Sequence, residues 1–325
     1  MRYVVEGSVR RGGSRVRITA QLIDALSGKH LWAQRYDREL QGVFAIQDDV
    51  TSSIVAVLPA RIEAAATEAA ARKKVDSLEA YDYLLRGKYY HHLYDAKANQ
   101  EAEASFDRAI ELDPRFAAAY AWKACTLGQA RILGYRNPAP RLSEIARLAE
   151  AAARLDENNT ECHRLMCRLA LLDGLFAKSE YHLERAMAQN PNDPRLVVQR
   201  GINLTYLGDP VAAIPWIERA MRLDPFSAHH YYLDLVRALF MAGRATEAIG
   251  VLEPIEPNRF EHYALLAACW STVGDTLAAQ EAGRRALAMR PAFAIGSYLE
   301  SSFAWKRPED KARLRDALQK SGLPE

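Results

Sequence analysis

The chain has 325 residues, of which 49% are apolar and 26% charged, and a formal net charge of +2. That is the composition of a globular protein of about two domains, and so small a charge excludes a strong pull toward nucleic acid or an anionic membrane. No apolar run approaches the ~18 residues of a membrane span or forms a signal-peptide core, and four scattered cysteines (Cys125, Cys162, Cys167, Cys269) read as reduced thiols of a cytoplasmic protein.

The first seventy residues begin with period-two patterning. Val16, Ile18, Ala20 and Leu22 alternate with Arg15, Arg17, Thr19 and Gln21, as in a strand with one wet face. Gly12-Gly13-Ser14 and Ser27-Gly28 supply turns. Three antiparallel strands are predicted near 3–10, 15–24 and 30–37, followed by a helix from Phe44 to Lys74. So small a sheet buries little surface alone, and residues 1–70 are expected to be a partial α/β domain, the back part of a larger one. Residues 1–38 hold eight Arg/Lys against three Asp/Glu. A solvated strand face, or an interface with a preceding domain, accounts for that excess better than direct contact with nucleic acid.

Residues 78–325 carry a repeat. Leu112-Asp113-Pro114, Leu223-Asp224-Pro225 and Met289-Arg290-Pro291 read as helix ends followed by proline. With Glu157 as a degenerate stand-in, anchors fall at Glu157, Pro191, Pro225, Pro257 and Pro291, spaced by 34, 34, 32 and 34 residues. A period of about 34 is one helix-turn-helix of the tetratricopeptide type. About six units are predicted, with extra residues in the turn near Asp95, an insertion around Gly134–Pro138 and a fifth unit shortened by Pro254 and Pro257. A capping helix pair follows near 293–304 and 308–320. The fold class is mainly α, a tetratricopeptide-repeat superhelix (an α-solenoid) preceded by the small antiparallel sheet.

Two stretches carry a resemblance. Tyr3-Val4-Val5-Glu6-Gly7-Ser8-Val9-Arg10, then Val16-Arg17-Ile18-Thr19-Ala20-Gln21-Leu22-Ile23-Asp24, then Leu31-Trp32-Ala33 with Arg35-Tyr36-Asp37-Arg38, resemble the TolB-type amino-terminal-like domain that precedes tetratricopeptide repeats in bacterial signalling proteins. Such proteins are commonly class III adenylate cyclases or winged-helix transcription regulators. The resemblance implies that the catalytic or DNA-binding domain would lie upstream, and that these residues are a non-catalytic interaction and regulatory region.

In tetratricopeptide proteins ligands often contact the first helix of each unit. Carrying those positions over gives Lys88, His91 and His92 in the first unit, Arg164 and Arg168 in the third, Arg195 and Tyr206 in the fourth, and His229 and Tyr232 in the fifth. Arginine forks beside aromatic rings suit a protein or peptide partner that is acidic or ends in a free carboxylate. The plainer alternative pairs the arginines with Glu161, Glu180 or Glu184. His163 and Cys167 have a spacing that zinc can use, but they also stand at packing positions. Asp48 and Asp49 read as helix-start residues. No Walker loop, nucleophile elbow or Gly-x-Gly-x-x-Gly run is present, so no catalytic residue, metal or cofactor is expected. A homodimer is compatible with the sequence.

Overall fold

The computed structural model describes residues 3–25, 28–39, 50–51, 54, 58, 61–62, 65–67, 79–136, 138–224, 231–255, 259–300 and 302–325. Two compact units divide it, Met1–Cys162 and His163–Glu325.

The first unit opens with strands β1 (Tyr3–Gly12), β2 (Arg15–Asp24) and β3 (Lys29–Glu39), paired antiparallel in the order β1-β2-β3. Gly13 turns the first hairpin at φ 61°, a left-handed conformation that costs a residue without a Cβ little. Alternation puts Val16, Ala20, Leu22, Trp32 and Tyr36 on the buried face. On the wet face Arg17 Nε bonds Asp37 Oδ1 at 2.6 Å across the pair. The described residues from Val50 to Thr67 are helical. Ile54, Leu58 and Ile62, four apart and so on one stripe, pack against Ala20, Leu22 and Trp32. The expected start of that helix, with Asp48 and Asp49, lies outside the described residues.

Four helices follow: α1 (Ala80–His91), α2 (Ala96–Leu112), α3 (Ala117–Leu133) and α4 (Leu142–Leu155). The Asp95 carboxylate accepts from the N–H groups of Lys97 and Ala98 and so starts α2. The extra turn residues before it end at Tyr94, whose φ of 52° is left-handed. Phe106, fully buried, packs with Leu84, Ala102, Ala109, Ala119 and Trp122. Its ring lies so close to Gly87 that a Cβ there would collide with it. The insertion after Gly134 is tied down by an Arg136–Glu103 ion pair and by Arg131 Nη1 donating to Pro140 O at 3.1 Å.

Helix α5 spans Thr160–Leu172. The second unit continues with α6 (Phe176–Gln189), α7 (Pro194–Leu207), α8 (Pro210–Leu223), α9 (Tyr232–Met241), α10 (Ala245–Leu252), α11 (Phe260–Val273) and α12 (Thr276–Met289). Gly174, Gly208, Gly243 and Gly274, at φ between 71° and 90°, end the first helix of successive hairpins. Asp209 and Asp275 start the second helices of two of them, each accepting from a backbone N–H. In the second unit Gly201 repeats the device of Gly87, with Ile217 occupying the space a Cβ would need.

The capping pair differs from expectation. Helix α13 spans only Ile295–Glu300, and α14 spans Pro308–Lys320. Ser302 Oγ donates to Leu299 O at 2.7 Å, and residues 302–307 then run without helix. Pro308 holds Arg307 extended (φ −104°, ψ 113°) by disfavouring the α conformation of the residue before it. Helix α14 buries Leu314, Ala317 and Leu318 and packs against α11 and α13, with most of its charges outward. Among the described residues no helix is long and apolar enough to cross a membrane.

Candidate functional site

In the first unit the expected residues gather on one ring. Trp122, buried on α3, receives the Lys88 ammonium 4.7 Å from its centroid and the edges of His91 and His92 at 5.4 and 5.6 Å. The ring face is electron-rich, so the cation is attracted to it. His91 is buried, and its Nδ1 shares a hydrogen bond with Thr126 Oγ1 at 3.0 Å. Its carbonyl accepts from Gln129 Nε2. His92 is exposed at the C-cap of α1. The cluster is therefore one exposed imidazole above a packed base.

In the second unit Arg168 and Tyr206 come together. Arg168 Nη1 donates to Gln199 Oε1 at 3.0 Å, and its guanidinium lies 4.9 Å over the Phe303 ring. The buried Tyr206 ring meets Phe303 edge-on at 5.2 Å and Trp305 at 4.4 Å. Burial pushes the Tyr206 phenol up to about 12. Arg237 stands 5.9 Å from the same ring and pairs with Asp234 at 3.3 Å. Burial raises the Asp234 carboxyl, against the pull of Arg237, Arg168 and Arg259. Beneath the seat a polar ladder links Gln199, Asn203, Ser179 and Glu180 at 3.0, 2.9 and 2.6 Å. Every rung is satisfied, which fixes α6 against α7.

The other expected residues stand apart from this seat. Arg195 folds back on the cap residue Asp193 with two hydrogen bonds of 3.1 and 2.8 Å. Arg164 is half-buried one turn before Arg168, Tyr232 begins α9, and His229 lies outside the described residues. Glu180 takes Arg200 as its ion-pair partner. His163 and Cys167 diverge. The imidazole pairs with His182, Nδ1 to Nδ1 at 2.9 Å, and the thiol meets Ser179 Oγ at 3.3 Å. Burial lowers His182 to about 4, with help from His163 and Lys178. It raises Cys162 to about 11 and Cys269 to about 12, which leaves both thiols unreactive. Among the described residues no group of three or more His, Cys, Asp or Glu is gathered as a metal site.

Sequence reasoning missed Trp122, Phe303 and Trp305, the rings that organise both clusters. An aromatic pair two residues apart just ahead of Pro308 was the available signal for the last two, since extended chain puts alternate side chains on one face.

No protein-family model matches the sequence. Over 122 residues, 37% of this chain, it is 48% identical to a protein of Rhizobium meliloti (strain 1021) named "Putative adenylate cyclase 3". The match covers 21% of that protein, so the chain spans about a fifth of the length of this curated relative. Among solved structures, that of the APC/C hetero-tetramer Cut9–Hcn1 is similar over 80% of this chain and 48% of its own, with 18% identity and a TM-score of 0.58. A tetratricopeptide repeat protein from Parabacteroides merdae aligns over 84% of this chain and 98% of its own, with 14% identity and a TM-score of 0.48. The chain is mainly helical, built from tetratricopeptide-type hairpins behind a three-stranded antiparallel sheet.

Proposed function

We propose that the chain is a non-catalytic protein-interaction and regulatory region of a bacterial signalling protein whose adenylate cyclase domain lies outside these residues. The observation that carries this is the 48% identity over 122 residues to a protein named as a cyclase, in a chain built from helical hairpins. The same match favours a cyclase over the winged-helix regulator as the whole protein. The amino-terminal sheet and its helix serve as the TolB-type linker, and the helical hairpins bind a protein or peptide. Arg164 and Arg168, one turn apart on α5, supply positive charge for an acidic or carboxylate-terminated segment.

The test is capture of partners from a bacterial extract with the tagged chain, compared with Arg164→Glu/Arg168→Glu. Loss of about tenfold or more of the captured partner is expected. Equal capture of every partner by the doubly reversed chain overturns the assignment. Conversion of ATP to cyclic AMP by the purified chain overturns the non-catalytic part.

A further inference from the structure

Residues 302–307 lie on the seat formed by Arg168 and Tyr206 in the manner of a bound peptide. Helix C-termini leave backbone carbonyls without intrahelical donors. Here Ala304 N–H donates to Leu171 O of α5 at 3.1 Å, and Lys306 N–H donates to Tyr206 O of α7 at 2.9 Å. Phe303 and Trp305, the alternating residues, place their rings on Arg168 and Tyr206. Backbone donors thus bind the helix ends while every second side chain fills the seat, which is how extended peptides are recognised. The strap also passes over both turn glycines. A Cβ at Gly174 would stand 3.5 Å from the Ala304 Cβ, and one at Gly208 would run into the Arg307 side chain.

The fit is incomplete at one atom. Trp305 Nε1 is buried with no acceptor among the described residues. A buried donor left unpaired carries a desolvation cost, which is recovered when the ring returns to water.

We infer that residues 302–307 are a displaceable intramolecular ligand, and that the α5–α7 face accepts from a partner an extended segment bearing two aromatic side chains two residues apart. This rests on the interaction reading above and names the regulation of its docking face: the strap competes with the partner. The fraction of chains with the strap released then scales the partner's apparent affinity.

The probe is a fluorescein-labelled synthetic peptide with the sequence of residues 302–307, followed by anisotropy. Phe303→Ala/Trp305→Ala, checked for wild-type circular dichroism and a cooperative melt, is expected to bind it about tenfold or more tightly than the unaltered chain. Adding Arg168→Ala to that variant should weaken binding again. Gly174→Cys/Ala304→Cys, strained at the left-handed φ of 71° and so also checked for wild-type circular dichroism, places two Cβ atoms at a separation a disulfide accepts, and the oxidised form should refuse the peptide until it is reduced. In the unaltered chain, amides of Ala304 and Lys306 should exchange about a hundredfold faster than those of Ala170 and Ile202. Exchange at the rate of those core amides overturns displaceability and decides the matter if the alanine variant does not fold. A folded alanine variant that ignores the peptide, or an oxidised lock that binds it like the reduced form, overturns the docking face. Either failure leaves the capture experiment with Arg164→Glu/Arg168→Glu standing as a separate result.

Discussion

The Trp122 cluster and the Tyr206 seat are built from the same materials and closed in opposite ways. Around Trp122, the covering groups are Lys88, His91 and His92, all from the neighbouring hairpin and all local in sequence. Around Tyr206, the cover is Phe303 and Trp305, brought back from the far end of the unit. Local cover forms as soon as two adjacent hairpins stack. Remote cover has to repay the entropy of closing a long loop, so it is the one that can be removed while the fold survives. The difference teaches that the residue types on a face do not tell whether it is open, packed or occupied.

The largest effect expected is in the first unit. Phe106→Ala should cost about 3–5 kcal/mol, read from denaturant unfolding, because the fully buried ring also supports Trp122, stacked on it at 6.5 Å. Binding of the strap peptide in the Phe303→Ala/Trp305→Ala background should be unmoved by this change; a parallel loss of binding would mean that the Trp122 cluster and the Tyr206 seat are coupled. Gly201→Ala in the second unit should cost about 1–3 kcal/mol, since its Cβ would collide with Ile217 and approach Ala213 O at 3.1 Å. A gain in melting temperature would show that Ile217 moves aside and that better helix propensity wins. Asp209→Ala, which removes the cap of α8 at Ala212 N, should lose about 1 kcal/mol, with Asn restoring most of it.

The smallest effect is a pH dependence. His182 is depressed to about 4 in the folded state against an ordinary 6.5. Its neutral form is thus favoured by folding, so its contribution is complete above about pH 6.5 and is lost as pH falls through about 4. Allowing for its half-exposed ring, the loss stays below about 1 kcal/mol. Denaturant midpoints at pH 7 and 4.5 should differ less for His182→Asn than for the unaltered chain; an equal difference would remove His182 as the cause.

Much of the fold was legible because its signals are local. Alternation along Arg15–Asp24, the Asp-Pro helix ends and the turn glycines each act within a few residues, and each marks an element boundary in the structure. The candidate site was legible only in part. Repeat position carries Arg195 to the binding face, while Asp193 two residues earlier is both the cap of α7 and its ion-pair partner. Within the stretch 293–304 expected to be helical, residues 302–304 are not, and there Ala304, followed by Lys306, bonds to carbonyls of distant helices. No window of sequence contains both halves of such a bond.

In a stack of hairpins each member ordinarily senses only the next one. The C-terminal segment breaks that rule, because Ala304, Lys306 and Arg313 bond to Leu171 O, Tyr206 O and Met241 O, at the ends of α5, α7 and α9. One stretch of chain thereby staples three layers together. Cut after Glu300, the second unit should melt layer by layer over a broad temperature range, whereas the stapled form should melt in a single sharp step.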